Sequence, residues 1–462
     1  MKPKNGHLHE SLVQALASGD DSALAVVLAG APAPDIAESF ELLGDEDRSR
    51  VIFALPPHTA AEVVVMLDEA DRGDLVDDLD TESLTEIVSE LPPDDAADVL
   101  GELPSEEADE ILEHLEDARA DKIEELLEYG EETAGGIMTP EVVAVEESKT
   151  VGDAVEIIRE ATQEEDLHEI YIIDTDRKLV GTVPLRRLVT NPSTTRLQDL
   201  CDTDVVSVYA HDDQETVLQI IRKYDVMAAA VIDEDERLLG RITHDDLLDV
   251  AEEEAAEDMY RMAGTDPAEL ETHSVLRAAF VRLKWLLPCL VGTMVTAVVL
   301  MVSQAKFDPA LAVVLVAFAP MIGAMGGNSG IQISTIIVRG FATGELASMR
   351  IKRAFWREGR IALAMAPVCG LVAWSLARGG IAALQNIGFS IGYVPDPASF
   401  AIAIGTAMTC AILVAGVLAI VLPFTFRRLG VDPAIAAGPL VTTMNDLVSV
   451  SIYMVLAMLI AR

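Results

Sequence analysis

Cysteine is scarce in this sequence, which has four cysteines among its 462 residues. They are Cys201, Cys289, Cys369 and Cys410, which lie far apart, three of them in apolar segments. The sequence contains no CxxC pair and no Cys/His spacing of the kind found in zinc sites. It therefore predicts neither a disulfide framework nor a structural zinc.

Two other signatures are missing from the sequence. It contains no GxxxxGK[ST] phosphate-binding loop, which argues against an ATP-driven pump. The N-terminal stretch, MKPKNGHLHESLVQALASGDD, lacks the apolar segment of a signal peptide. We therefore expect the first half of the chain to stay in the cytoplasm.

Basic residues are few, with 33 Lys and Arg against 77 Asp and Glu and a formal net charge of −44. The acidity is concentrated in one block, because 71 of the acidic and 19 of the basic residues precede residue 273. That block carries a charge of −52, and the remainder carries +8. Such a block repels phosphates, so nucleic acid is not expected as a partner. We expect cations to be its partners instead.

Five apolar segments are long enough, or nearly so, to cross a lipid bilayer, which takes about 20 residues. They are residues 285–303, 309–327, 361–385, 400–424 and 436–461. Eleven Lys and Arg flank these segments on the side of the acidic block, and three lie on the other side. The positive-inside rule therefore predicts an N-terminus inside the cell and a C-terminus outside.

Asp446 is the only ionisable residue near the middle of a predicted span. A carboxylate at that depth is costly, so it normally faces a bundle interior, water or an ion. Thr442, Thr443 and Asn445 add oxygen atoms within one turn, and Pro439 is expected to free a backbone carbonyl one turn earlier. Two interpretations stay open, namely a protonated Asp446 bonded to a neighbouring helix and an ion ligand.

Glycine is concentrated in residues 319–340, APMIGAMGGNSGIQISTIIVRG, where the second span should continue. Irregular backbone at this depth would line a cavity or be buried in protein. Gly323 and Gly327 also have the spacing of a close helix–helix contact. Asn328 and Gln332 would lie on one helical face beside this stretch. The sequence leaves open whether the glycines break the helix or pack it.

Residues 51–127 carry a twelve-residue repeat, in which leucine recurs from Leu55 to Leu127 with Val, Leu or Ile four places earlier. The i, i+4 pair and a turn in each period predict short stacked amphipathic helices, a small solenoid. Proline in the first turn of two of these helices fits this prediction.

Two copies of a different unit follow from about residue 136, spaced 59 residues apart. The segment IID at 172–174 matches VID at 231–233, and each copy predicts strand, helix, strand, turn, strand, helix. The pair resembles a tandem CBS module, which implies adenine-nucleotide binding through a Ser/Thr-x-x-Asp motif. The second copy keeps this motif from Thr243 to Asp246, whereas the first has PLRR at 184–187.

Residues 245–264, DDLLDVAEEEAAEDMYRMAG, form an acidic helix candidate that leads toward the first span. Carboxylates at this density repel one another, and a divalent cation would bridge them. A solvated charged linker is the alternative interpretation.

The order of these modules resembles the MgtE family of magnesium channels over nearly the whole chain. The sharpest matches are AGGIMTPEVVAV, MGGNSGIQ, RRLGVDPA and TTMND. The resemblance implies a multidomain membrane protein with four parts. These are a superhelical α-helical repeat domain at 1–132, an α/β tandem CBS domain at 133–250, an acidic connecting helix at 245–272 and an all-α five-helix transmembrane domain at 273–462.

The resemblance also implies two sets of metal-binding residues. In the pore it places Asp446 as a selectivity carboxylate contributed by each subunit, together with Asp432 at the cytoplasmic mouth, Asn328, Gln332 and Glu358. In a cytoplasmic sensor it places Glu62, Asp94, Asp98, Glu215, Asp225, Asp246, Asp249, Glu257 and Asp258. Asp246 then has two roles, magnesium ligand and, with Thr243, ribose contact, which the sequence does not separate.

The function implied by the resemblance is a homodimeric magnesium channel of the cell membrane, with no enzymatic chemistry. Mg²⁺ would be both substrate and regulator, with the membrane potential as driving force and ATP as a further ligand of the CBS module. Two alternatives stay open. One is a proton- or sodium-coupled divalent-cation transporter that uses Asp446 as a proton carrier, and the other is a membrane sensor that conducts nothing.

Overall fold

A computed structural model describes residues 5–40, 42–161, 167–244, 246–269, 275–343, 351–386 and 396–460. The chain divides into two compact units, Met1–Glu252 and Glu253–Arg462. The first contains the acidic repeat and both β-sheets, and the second contains the long apolar helices.

Ten short helices open the described part of the first unit, and the last seven cover the stretch in which the twelve-residue period predicts short helices. They are α1 (Asn5–Ser18), α2 (Asp21–Leu28), α3 (Ala33–Phe40), α4 (Asp45–Phe53), α5 (Pro57–Val65), α6 (Glu69–Asp78), α7 (Thr81–Glu90), α8 (Pro93–Gly101), α9 (Ser105–Leu112) and α10 (Asp117–Leu127). The branched apolar residue of each period is buried, from Val51 to Ile123, because it faces the neighbouring helices. Leu127, the last leucine of the period, is exposed.

Several acidic residues of the repeat begin helices. The Asp68 side chain accepts a hydrogen bond from the Asp71 backbone N–H at 2.8 Å, and Asp80 accepts one from Ser83 at 2.8 Å. These are N-caps, which satisfy N–H groups that have no partner within the helix. The bonds from Ser83 hold the pKa of Asp80 below its ordinary value. Some of the acidic residues of this domain therefore stabilise the starts of helices.

Two three-stranded sheets follow, one in each copy of the second repeat. The first copy contains β1 (Ala144–Glu146), α11 (Val151–Glu160), β2 (Glu169–Ile173), β3 (Leu179–Pro184) and α12 (Leu185–Thr190). The second contains β4 (Ser207–Tyr209), α13 (Gln214–Tyr224), β5 (Ala228–Ile232), β6 (Leu238–Thr243) and α14 (Asp246–Ala263). In each sheet the first strand pairs parallel with the second, which pairs antiparallel with the third.

The two copies match in detail. Ile172 pairs with Gly181 in the first sheet and Val231 pairs with Gly240 in the second, and the register shifts directly after each pair. These positions are 59 residues apart, so the tandem α/β architecture predicted from the internal repeat is confirmed.

Among the residues that the structure describes, five helices of the second unit are long and apolar enough to cross a membrane. They are α15 (Val275–Gln304), α16 (Pro309–Ala342), α17 (Ile351–Asn386), α18 (Pro397–Arg428) and α19 (Pro439–Ile460). Their number agrees with the sequence prediction. The first four helices extend beyond the predicted apolar segments, whereas α19 is shorter than its segment. A 3₁₀ helix, Pro433–Ala437, joins α18 to α19.

Small residues let α18 pack closely at the centre of this bundle. Ala403, Ala407 and Ala411 are buried in it. A Cβ built on Gly405 would lie 2.8 Å from the Gly370 carbonyl of α17, so any side chain there would clash. Close packing of this kind drives helix association in lipid, where apolar surface gains nothing by leaving the solvent.

The glycine-rich stretch of the second span does not break the helix. α16 is continuous from Pro309 to Ala342, so the expectation of irregular backbone is wrong. The alternative interpretation, a close helix–helix contact, is confirmed, because four of its glycines (Gly323, Gly326, Gly327 and Gly330) face side chains of α19. The helix remains continuous because its backbone bonds stay within one segment, as hydrocarbon requires.

Candidate ion-binding sites

Asp446 lies in α19 and faces the glycine side of α16. Cβ atoms built on Gly323 and Gly327 would lie 3.4 and 3.3 Å from the Asp446 Oδ1 atom, so glycine leaves the room that this carboxylate occupies. Oδ1 is buried and accepts no hydrogen bond from any residue that the structure describes. A buried carboxylate oxygen without a donor is stabilised by a bound cation or by protonation.

The residues beside Asp446 only partly follow the sequence prediction. The Thr443 hydroxyl donates to the Pro439 carbonyl at 2.8 Å, and its methyl group lies against Gly292 of α15 rather than toward Asp446. The Thr442 hydroxyl likewise donates within its own helix, to Gly438 at 3.4 Å. Pro439 is the first residue of α19, so it frees no carbonyl inside a helix, and that expectation is wrong.

Asn445 forms the tightest part of what we call the α16–α19 seam, defined by Gly326, Gly330, Asn445 and Ser449. The Asn445 side chain is fully buried against Gly330, and Ser449 lies against Gly326. Neither polar atom of the Asn445 side chain has a hydrogen-bond partner in the described part of the chain. The seam therefore places unsatisfied polar atoms one residue from Asp446.

We expect Gly330→Ala to loosen the seam, because its Cβ would overlap the Asn445 amide. Overpacking of this kind costs about 1–3 kcal/mol, so the thermal midpoint of the protein in detergent should fall by several degrees. Gly379→Ala in α17 is the matched control, since nothing lies within 4 Å of a Cβ at that position. Equal midpoints for the two variants would contradict the packing described for the seam.

Asn328 and Gln332 are not brought to Asp446 within one chain. Both side chains are exposed. At about 100° per residue they lie roughly on the opposite face of α16 from the glycines that contact α19. Their predicted role in the pore stays a prediction.

Glu358 is a buried acid near the start of α17, only 3% exposed. The Arg357 Nε atom lies 3.7 Å from its Oε1 atom, and the Arg357 side chain itself is exposed. A buried carboxylate with one loosely placed cation can serve structure or ion binding, so its predicted role also stays a prediction.

Asp432 lies at the start of the 3₁₀ helix that precedes α19. Its Oδ1 atom accepts from the Ala434 backbone N–H at 2.7 Å, which caps the helix. Its Oδ2 atom accepts from the Arg261 Nη1 atom at 2.7 Å, and Arg261 also pairs with Glu257. Asp258 belongs to the same group, which we call the mouth site: Glu257, Asp258, Arg261 and Asp432.

The surroundings of Asp258 in the mouth site disfavour a negative charge on its carboxyl group. Burial, with the charges of Asp432 and Glu254, raises the pKa of Asp258 to about 6. Two carboxylates that repel each other in this way are stabilised by a cation placed between them.

A second acidic group lies in the first unit, between the helical repeat and the CBS module. The Thr139 hydroxyl, at the start of the CBS module, donates to the Asp94 Oδ2 atom of α8 at 2.7 Å. Asp98 lies one turn further along α8, and the charges of Asp94, Glu131 and Asp246 act on it. Three predicted sensor residues, Asp94, Asp98 and Asp246, thus lie near enough for the charges of two of them to act on Asp98, in what we call the crevice site.

Asp98 is reachable by solvent, although protein surrounds most of its carboxylate. This desolvation, with the neighbouring carboxylates, raises the pKa of Asp98 to about 6, against the opposing charge of Arg72. The folded state therefore binds a proton that the unfolded state loses at lower pH. The stability of the crevice should fall as pH rises from the ordinary Asp value of 3.8 through about 6.

This predicts that in EDTA α8 exchanges its amide hydrogens faster at about pH 7 than at about pH 5, after correction for the intrinsic rate. Asp98→Asn should remove most of that difference, because the amide does not titrate. Glu107→Gln, an exposed acid of α9, is the control and should keep it. An unchanged pH dependence in Asp98→Asn would contradict the assignment.

Asp246 has a structural role that the motif did not reveal. Its Oδ2 atom accepts from the Thr243 backbone N–H at 2.8 Å and from the Thr243 hydroxyl at 2.7 Å. Thr150 and Asp153 make the same bonds at the start of α11 as a capping box. The Thr-x-x-Asp pattern thus forms the same local hydrogen bonds in both copies, so its presence alone does not establish a ribose site.

The remaining predicted sensor residues lie elsewhere in the first unit. Glu62 is exposed, with its Oε1 atom 3.6 Å from the His58 Nε2 atom. Glu215 accepts from the Gln219 amide at 3.1 Å, and Asp225 ends the same helix in a left-handed conformation with φ of 54°. The two ends of that helix are about 15 Å apart. Asp249 is exposed on α14.

Three residues of these sites were missed from the sequence, namely Arg72, Glu131 and Arg261. Arg261 is the one basic residue of α14. A single basic residue in so acidic a helix could have indicated an ion pair with neighbouring acids. Glu131 precedes the CBS module in YGEETAGG without any regular spacing. Across the described ranges, no three His, Cys, Asp or Glu side chains converge as a group that could hold a metal ion.

Comparisons with known proteins agree across both units. A family model described as a divalent cation transporter matches residues 319–456, the MgtE intracellular N domain matches 31–132, and the CBS domain matches 134–193 and 197–253. Magnesium transporter MgtE of Enterococcus faecalis is 36% identical over 338 residues, covering 73% of this chain and 71% of the relative. The protein of the same name from Thermus thermophilus is 33% identical, covering 72% and 71%.

A solved structure also matches the first unit. It is the cytosolic domain of the Mg²⁺ channel MgtE in complex with ATP, with 35% identity and a TM-score of 0.50. The match covers 52% of this chain and 99% of that one. With family models on the repeat, the CBS pair and the apolar helices, the chain belongs to the MgtE family of magnesium transporters.

Proposed function

We propose that the chain forms a magnesium-selective channel of the cell membrane, working as a homodimer. The observation that carries this proposal is Asp446, whose buried Oδ1 atom lies in a membrane-length helix without a donor in the described residues. A second copy of the chain would bring a second Asp446 to the pore. Two such carboxylates repel when the site is empty, which favours a cation between them.

Magnesium suits a site of this kind. Mg²⁺ gives up its water reluctantly and is commonly held by one or two carboxylates while it keeps several waters. The membrane potential then supplies the driving force, at about 4.6 kcal/mol for two charges per 100 mV. With the N-terminal unit in the cytoplasm and the C-terminus outside, the inward direction is downhill.

The acidic groups of the cytoplasmic side would regulate the channel. We propose that Mg²⁺ binds the crevice site and the mouth site, and that Glu62, Glu215, Asp225 and Asp249 contribute weaker contacts. A shift from mostly open to mostly closed needs about 5 kcal/mol. Several weak sites in each of two subunits can supply it, because a ligand favours the state to which it binds more tightly. ATP would bind the CBS module beside Thr243 and Asp246, a proposal supported by the ATP complex of a related cytosolic domain.

Mg²⁺ entry into liposomes that contain the purified full chain tests this function. We expect uptake that follows an imposed potential and is unaffected by a proton or sodium gradient. Uptake that follows either gradient would instead support a coupled transporter with Asp446 as the proton carrier. No uptake under any condition would support the non-conducting sensor.

A further inference from the structure

Arg261 is the feature of the mouth site that the proposed function leaves unexplained. It lies in the last turn of α14, and its guanidinium pairs with Glu257 on its own helix and with Asp432 at the start of the 3₁₀ helix. These two acids are among those proposed to bind regulatory Mg²⁺. The Arg261 guanidinium thus already occupies the position at which regulatory Mg²⁺ is proposed to bind.

The backbone around Arg261 is fitted to this position. A Cβ built on Gly438 would lie 2.7 Å from the Met262 carbonyl and 3.2 Å from that of Arg261, so only glycine allows the end of α14 to approach. Met262 packs against Val338, Ala434 and Ala437. Gly264, with φ of +82°, lies against Pro439. The ion pair therefore belongs to a packed contact between α14 and the segment before α19.

We propose that Arg261 is a tethered cation that holds the end of α14 at the mouth site when Mg²⁺ is scarce and competes with Mg²⁺ for Asp432 and Glu257. It acts as a positioning residue for gating and touches no transported ion. The inference rests on the proposed regulation by Mg²⁺.

Two consequences follow from competition between a guanidinium and Mg²⁺. Without Arg261 the end of α14 detaches more readily in the absence of divalent ions, because Asp432, Glu257 and Asp258 then repel one another. Mg²⁺ should also bind the vacated acids at lower concentration. The arginine thus keeps part of the contact permanently formed and raises the Mg²⁺ concentration at which the site responds.

Hydrogen exchange of residues 253–263 in the full chain, in lipid nanodiscs, tests the inference without any transport. In EDTA we expect Arg261→Met to exchange about tenfold faster than the native chain, as the loss of a charge-assisted contact implies. Millimolar Mg²⁺ should restore protection, with a midpoint several-fold lower than in the native chain. The inference would be overturned if Arg261→Met exchanged at the native rate in EDTA. It would also be overturned if the Mg²⁺ concentration that restores half of the protection were unchanged or higher in this variant.

Three variants separate charge from packing. Arg261→Lys should stay close to native, because it keeps the positive charge. Asp432→Asn keeps the acceptor that caps Ala434 and loses the charge, so it should match Arg261→Met, and the double variant should exchange no faster than either. Met259→Gln, an exposed residue two positions before Arg261 and about 200° around α14 from it, should change nothing. If Mg²⁺ fails to inhibit flux in the native chain, the proposed function fails, while faster exchange in Arg261→Met still supports the ion pair.

Discussion

Asp446→Ala is expected to lower Mg²⁺ flux by about a hundredfold or more. In the proposed homodimer each subunit would lose a charge-assisted interaction worth about 1.5–3 kcal/mol, and the pore would contain two such copies. The Asp446 carboxylate has no described partner whose loss would account for a structural effect. The loss should therefore appear in transport and leave the stability of the bundle nearly unchanged.

Flux into liposomes and the thermal midpoint in detergent, measured on the same preparations, check this prediction. Asp446→Asn keeps the size and removes the charge, so it should behave like the alanine variant, whereas Asp446→Glu should retain part of the flux. Asp308→Asn, near the end of a span, is the control. Flux at the native level in Asp446→Asn would show that the carboxylate does not select the ion.

Removal of residues 1–252 is expected to abolish most inhibition by cytoplasmic Mg²⁺ while flux continues. The crevice site, with Asp94, Asp98 and Asp246, is lost with that unit. At millimolar Mg²⁺ the truncated chain should conduct at least about tenfold more than the intact one, since a few weak sites together shift the equilibrium by more than 1.4 kcal/mol. Inhibition of undiminished strength after this removal would place the sensor in the second unit.

A paired truncation resolves the contribution of the mouth site. Removal of residues 1–252 keeps Glu257, Asp258 and Arg261, whereas removal of residues 1–264 takes them away. We expect the shorter deletion to keep weak inhibition and the longer one to keep none. In both, continued flux shows that the second unit remains folded, and the loss of that flux in Asp446→Ala shows that it passes the Asp446 site.

The architecture could be predicted from the sequence because its signals are periodic. A leucine every twelve residues, two copies 59 residues apart and five apolar segments each predict one element type, and the structure has all three. The ends of the long helices could not all be predicted, because helix α17 starts at Ile351 and runs through Lys352, Arg353 and Arg357 before the predicted apolar segment at 361–385. Helical backbone bonds tolerate these residues where apolar composition alone suggests an end.

The sites were predictable only where residue type and depth decide the chemistry. Asp446 stands out because a carboxylate inside an apolar membrane helix costs free energy unless it faces a polar interior, water or an ion. The pairing of Arg261 with Asp432 joins residues 171 positions apart, which no local pattern contains. The same holds for Asn445, whose fit against Gly330 depends on the closeness of two helices. Thr243 and Asp246 show the opposite failure, since a motif typical of ribose binding also forms hydrogen bonds between its own two residues.

Current through inside-out patches, recorded while Mg²⁺ on the cytoplasmic face is varied, measures both conduction of Mg²⁺ and its inhibition by Mg²⁺. We expect a current that reverses at the Mg²⁺ equilibrium potential and falls by about tenfold or more as cytoplasmic Mg²⁺ reaches the millimolar range. We also expect the inhibition to disappear when residues 1–264 are removed. A current that reverses at the proton equilibrium potential, or one that cytoplasmic Mg²⁺ leaves unchanged, would contradict the proposed function.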